Sequence, residues 1–97
     1  QHLSEDGIMI VVMTLERHSN VVLAGPDIVS RGFVYVRESE DLMEDAKEVV
    51  ENALDSCLER NITDWGKIKN TVKDALSDFL WKRTKRSPMI LPIIMEA

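Results

Sequence analysis

Hydrophobic and polar positions along this chain follow two rhythms, the two-residue alternation of strands and the three-to-four-residue spacing of amphipathic helices. Ile8-Met9-Ile10-Val11-Val12-Met13-Thr14-Leu15 is apolar on both parities of a two-residue repeat and rich in β-branched residues. That is the composition of a strand covered on both faces, so it reads as the central one. The polar stretch Glu16-Arg17-His18-Ser19-Asn20 has hairpin length, and Val21-Val22-Leu23-Ala24 returns antiparallel. Gly25-Pro26 marks a turn or strand break, because proline has no N–H for a ladder and pushes its neighbour out of the helical region. Asp27-Ile28-Val29-Ser30-Arg31 follows; Gly32 permits a bulge or a close backbone approach, and Phe33-Val34-Tyr35-Val36 resumes the strand pattern. Residues 25–38 therefore read as one bent strand, with polar residues set into an apolar run.

At Arg37-Glu38-Ser39-Glu40-Asp41 the rhythm changes. Ser39 is a candidate N-cap, and the acids after it suit the positive end of a helix. Leu42, Ala46, Val49, Val50, Ala53, Cys57 and Leu58 form the apolar stripe, with most of the acids elsewhere. Asn61-Ile62-Thr63 interrupts, and Thr63 with Asp64 restarts the chain as the cap and first turn of a second helix carrying Trp65, Ile68, Val72, Ala75, Leu76, Phe79 and Leu80 on one side. That helix ends in Lys82-Arg83-Thr84-Lys85-Arg86, and Pro88 blocks continuation. Last comes Met89-Ile90-Leu91-Pro92-Ile93-Ile94-Met95, where the internal Pro92 demands an edge position.

These elements predict an α+β domain of order β-β-α-α-β. Its three-stranded mixed sheet has the order 2-1-3, with both helices on one face; the order 1-2-3 stays open. Two helices cover one side of such a sheet, yet its first and last strands are apolar on both parities. Apolar side chains among Met9, Val11, Met13, Ile90 and Ile94 are then left over, the outward parity being undetermined. An exposed apolar patch larger than about 400 Å² marks an interface, and methionines suit an adaptable contact surface. A curled sheet that absorbs the excess as ordinary core is the bland alternative.

Composition narrows the function. Ninety-seven residues, 44% hydrophobic and 30% charged, make one small folded domain, expected over 7–97 after a linker remnant at 1–6. A net charge of −5 argues against bulk attraction to nucleic acid. The single Cys57 excludes an internal disulfide and a cysteine-based zinc site. The apolar runs are too short to span a bilayer, and a cytoplasmic location is the default.

Catalytic chemistry is not visible. His2 and His18 are isolated from each other, no glycine-rich phosphate loop is present, and Ser30 has no histidine placed to activate it. No cofactor or metal is expected within this chain. Asp27, Arg31, Arg37 and Glu38 sit in or beside buried-looking strand segments, which calls for ion pairing or an interface contact, since a lone buried charge is heavily penalised. Phosphate contact by Arg31 or Arg37 is the alternative. Lys82, Arg83, Lys85 and Arg86 balance the negative end of the second helix, with phosphate contact again the alternative.

The run from Gly25 to Ser39, preceded by Leu3-Ser4-Glu5-Asp6-Gly7 and followed by Thr84-Lys85-Arg86-Ser87-Pro88-Met89-Ile90-Leu91-Pro92-Ile93-Ile94-Met95-Glu96, resembles the C-terminal domain of bacterial ribonuclease J. The resemblance covers essentially the whole chain. It implies a longer parent with a metallo-β-lactamase fold and an inserted β-CASP domain, acting on RNA as a 5′-to-3′ exonuclease and as an endonuclease through two zinc or manganese ions. The family's metal ligands and nucleotide pocket lie upstream, so none is carried onto a residue here. For this piece the resemblance implies a non-catalytic module that promotes homodimer or homotetramer assembly and packs on the upstream catalytic domains. RNA would be reached through the parent, and no membrane is involved. The competing reading is an RNA-guiding module using Arg31, Arg37, Lys82, Arg83, Lys85 and Arg86; a third is a docking platform for other RNA-decay proteins. Ser87 stands where many relatives have a second basic residue, which weakens RNA contact at that cluster.

Overall fold

A computed structural model describes residues 6–16, 18–19, 22–32 and 39–97, with the side chains of the last group from residue 41 onward. In chain order the elements are β1 (Ile8–Leu15), β2 (Val22–Arg31), α1 (Ser39–Glu59), α2 (Trp65–Thr84) and β3 (Met89–Glu96). The sheet has the order β2-β1-β3. β1 pairs antiparallel with β2 and parallel with β3, as the two-faced β1 and the edge-seeking Pro92 require.

Both helices lie on one face, and β1 supplies the floor beneath them. Met9, Val11, Met13 and Leu15 are fully buried there, in one cluster with Leu54 from α1 and Ile68, Val72, Leu76 and Leu80 from α2. Cys57 belongs to this core, as its place on the apolar stripe of α1 suggests.

β2 does not break at Gly25-Pro26. It runs through, absorbing the irregularity as a bulge: Val12 faces Asp27 and Thr14 faces Ala24, so Gly25 and Pro26 both stand opposite Met13. Pro26 turns into the core. Gly25 adopts φ +87°, and a Cβ there would stand 2.8 Å from the Val12 carbonyl oxygen, so the position needs glycine twice over. A second shift leaves Leu23 between the Thr14–Ala24 and Leu15–Val22 pairs. The expected continuation of this strand over 33–36, and the charged pair Arg37 and Glu38, lie outside the described residues.

The helix ends have identifiable chemistry. α1 closes with Asn61 at φ 57°, its N–H bonding the Leu58 carbonyl while Ile62 N–H bonds the Cys57 carbonyl. This is the Schellman arrangement, with Ile62 packed against the core as that motif favours. α2 is capped by Asp64, whose carboxylate accepts from Gly66 N–H at 3.0 Å; the cap is thus Asp64 and not Thr63.

Asp6 falls in the segment expected as linker, yet its carboxylate accepts from Ser87 N–H at 2.6 Å and pairs with Arg86 at 3.4 Å. Next to it the Gly7 carbonyl accepts from Met89 N–H. Together these bonds fix the start of β3 against the start of β1.

Candidate functional site

The side of the sheet away from the helices is built from the other parity of each strand. Strand pairing places its residues in rows across the sheet: Arg31, Ile8 and Met89; then Val29, Ile10 and Leu91; then Asp27, Val12 and Ile93; then Ala24, Thr14 and Met95. The outer positions are open to solvent: Val29 is 44% exposed, Met89 39%, Leu91 42%, Ile93 37% and Met95 53%, while Ile8, Ile10 and Val12 on the middle strand are half-buried. No described helix or strand lies over this face. Eight residues rising about 3.3 Å each and three strands about 4.8 Å apart give a corrugated, apolar surface roughly 26 Å long. Arg31 and Asp27 flank Val29 along its β2 margin, both exposed.

This assigns the leftover side chains differently from the residues singled out in the sequence. Met9, Val11 and Met13 are fully buried, Ile90 is nearly so, and Ile94 packs against the same core, all under the helices. An apolar surplus is present, but it belongs to the opposite parity, because α1 and α2 sit on the Met9 side of β1. Asp27 and Arg31 also differ from expectation: they are exposed, not buried charges, since β2 is an edge strand of the described sheet and no described element covers its outward face.

The basic cluster at the end of α2 is largely committed to neighbours. Lys82 pairs with Asp78 at 3.1 Å, one turn back, and Arg83 reaches across to Asp45 on α1 at 3.0 Å while lying 5.5 Å from the centre of the Phe79 ring. Lys85, in a left-handed conformation just past the helix, sits 5.4 Å from the ring centre of the exposed Trp81. Arg86 is the partner of Asp6. These are exposed pairs, each contributing well under about 1 kcal/mol to stability, but they leave the cluster close to neutral as a unit. A shallow groove between α1 and α2, lined by Val49, Ala75, Asp78, Phe79, Lys82 and Arg83, carries the same mixture of charge. Arg37 lies outside the described residues.

Among the described residues, no group of three or more His, Cys, Asp or Glu side chains converges as a metal site would require. His18 is exposed in the β1–β2 connection, and Ser30 lies on the core-facing parity of β2 opposite Met9. No helix among the described residues is long and apolar enough to cross a membrane.

The family model for the ribonuclease J C-terminal domain matches residues 1–97. This chain belongs to that family. It is 49% identical over 94 residues to ribonuclease J2 of Bacillus subtilis and 48% identical over 94 residues to ribonuclease J 2 of Staphylococcus aureus; in each case the match covers 97% of this chain and 17% of the relative. This ribonuclease J C-terminal domain therefore corresponds to about a sixth of the length of those relatives. Its β-β-α-α-β fold, with the apolar outer sheet face, is the structure on which a functional reading has to rest.

Proposed function

We propose that this domain is the non-catalytic assembly and packing module of a ribonuclease J, joining copies of the parent and seating against its catalytic core. On this reading the parent is a cytoplasmic, metal-dependent hydrolase that degrades and matures RNA as a 5′-to-3′ exonuclease and endonuclease. Its zinc or manganese ions are held by upstream metallo-β-lactamase and β-CASP domains, and its RNA is bound there. The relatives' name, ribonuclease J2, supports the nuclease assignment of the parent. One observation carries the role of this piece: Val29, Met89, Leu91, Ile93 and Met95 stand exposed together on a sheet face with no described layer over it. Apolar surface of that extent is destabilising in water and is relieved when a partner covers it.

Replacing Leu91, on the β3 edge of the face, with arginine is the direct test. Sedimentation equilibrium of the 97-residue chain is expected to give a concentration-dependent association that Leu91→Arg abolishes, with the far-UV circular dichroism unchanged. In the longer protein, removing the domain is expected to lower both the oligomer size and the nuclease rate. A wild-type chain that stays monomeric at millimolar concentration, together with a truncated parent of unchanged size and rate, would refute the proposal.

The RNA-guiding reading draws less support, because Lys82, Arg83, Lys85 and Arg86 each have an acidic or aromatic neighbour within the domain and the net charge is −5. It predicts salt-sensitive retention of RNA in a mobility shift. The assembly reading expects none at physiological salt.

A further inference from the structure

β3 leaves one edge of its backbone unpaired. Met89 N–H bonds the Gly7 carbonyl and Ala97 N–H bonds the Leu15 carbonyl, so Met89 and every second residue after it direct N–H and C=O towards β1. Ile90, Pro92 and Ile94 then direct theirs outward, past the end of the β2-β1-β3 sheet, where no described strand meets them. Pro92 falls at a position where its missing N–H takes nothing from the sheet. Such a row of backbone groups is a template for one more strand. α2 overlooks this edge, because α1 packs on β2 and α2 on β3. The buried ridge of α2 is Ile68, Val72, Leu76 and Leu80. The ridge on one flank, Ala75, Phe79 and Arg83, meets α1 through Val49 and Asp45. The ridge on the other flank, Lys69, Lys73, Ser77, Trp81 and Lys85 at four-residue intervals, therefore looks out past β3. Trp81 is exposed there with Lys85 5.4 Å from its ring centre, and neither Lys69 nor Lys73 has an ion-pair partner among the described residues.

We propose that the outer edge of β3 and the lysine–tryptophan ridge of α2 form a strand-addition site for an extended segment of another protein, one in which apolar and acidic residues alternate. The alternation follows from the geometry. A strand set about 4.8 Å outside β3 turns one parity of its side chains towards the helix layer and Lys69, Lys73 and Lys85. The other parity lies beside the exposed Leu91 and Ile93 on the helix-free face. Acids complement the first side and apolar residues the second, while main-chain bonds to Ile90 and Ile94 hold the strand. A second copy of this chain fits the same edge poorly. Antiparallel pairing of two β3 strands about Pro92 sets two residues without an N–H opposite each other. The two-fold axis of that pairing stands normal to the sheet, so both α2 helices fall on one side and lysine ridge approaches lysine ridge. Single-stranded RNA would satisfy the lysines and Trp81 but would bring phosphate oxygens against the outward carbonyls of Ile90, Pro92 and Ile94, acceptor against acceptor.

Fluorescence anisotropy of a labelled octapeptide of alternating valine and glutamate, titrated with the 97-residue chain, tests the site. Saturable binding is expected, at least about tenfold tighter at low salt than that of the matching peptide of alternating valine and lysine. Two further peptides carry N-methyl groups on the valine amides or on the glutamate amides. One of those two sets faces β3, so at least one methylated peptide is expected to lose affinity about tenfold or more, as main-chain pairing requires. Lys73 is exposed, and Lys73→Glu is expected to keep the circular dichroism of wild type while removing the preference for the acidic peptide. Equal binding of the acidic and basic peptides, binding of neither, full tolerance of both methylated peptides, or an unchanged preference in Lys73→Glu would each overturn the proposal. Retention of a labelled oligouridylate that Lys73→Glu abolishes, with no peptide bound, would assign the ridge to RNA instead. Loss of self-association in Lys73→Glu, read by sedimentation equilibrium, would give the edge to a second copy and equally sink the proposal.

Discussion

Substituting Gly25 by alanine probes the point at which β2 is bent into register, and the structure gives the terms of its effect. At φ +87° a residue with a Cβ is in a conformation that costs on the order of 1–3 kcal/mol. The new methyl would also stand 2.8 Å from the Val12 carbonyl oxygen, which is backbone in the central strand and cannot swing aside. Forced repacking of that kind adds about 1–3 kcal/mol. Gly25→Ala is therefore expected to destabilise by roughly 2–6 kcal/mol, a large part of the 5–15 kcal/mol typical of a whole domain. Two other glycines serve as controls. Gly32 also has a positive φ, +71°, but the nearest atom to a Cβ is the Gly7 Cα at an ordinary 3.5 Å, so Gly32→Ala should cost only the backbone term, about 1–3 kcal/mol. Gly66 lies in the first turn of α2 with no positive φ, and Gly66→Ala should stabilise by up to about 1 kcal/mol. Urea denaturation followed by circular dichroism measures the series. If Gly25→Ala costs no more than Gly32→Ala, the close approach to Val12 is not what requires glycine there, and the account of the bulge is wrong.

Removing the Asp6 carboxylate with Asp6→Ala deletes the acceptor for Ser87 N–H and the partner of Arg86; a loss of about 1 kcal/mol in urea stability is expected, modest because the pair is partly solvated. A variant as stable as wild type would show that the fold begins after Asp6. Cys57 is fully buried, so its reaction with a thiol reagent should be at least about a hundredfold slower in the native chain than in denaturant. Equal rates would contradict its place in the core.

Element types, the strand order and the two-helix layer were all legible in the sequence, because Pro92 rules out a central position for β3 and the doubly apolar β1 demands neighbours on both sides. The outward parity was not. β1 and β3 are apolar on both parities, so neither strand taken alone points to its own solvent side. A signal did exist in Thr14, Asp27 and Arg31, which share one face. It becomes readable only when the register of β2 is known, and the bulge at Gly25-Pro26 with the extra Leu23 hides that register from simple counting. The partners of the basic cluster were hidden for another reason: Arg83 meets Asp45 and Arg86 meets Asp6 across long stretches of chain, which residue spacing cannot reveal. Asp64 displaced Thr63 as the cap by a single residue, the usual scale of error when two capping residues stand side by side.

The parallel pairing of β1 with β3 has a consequence for how the domain is made. Ile8 finds its neighbour Met89 only after about eighty further residues have been synthesised, and contacts so distant in sequence form late. Until then the hairpin of β1 and β2 offers a bare, greasy strand edge on the ribosome, the kind of surface that recruits chaperones or mispairs with a neighbouring nascent chain.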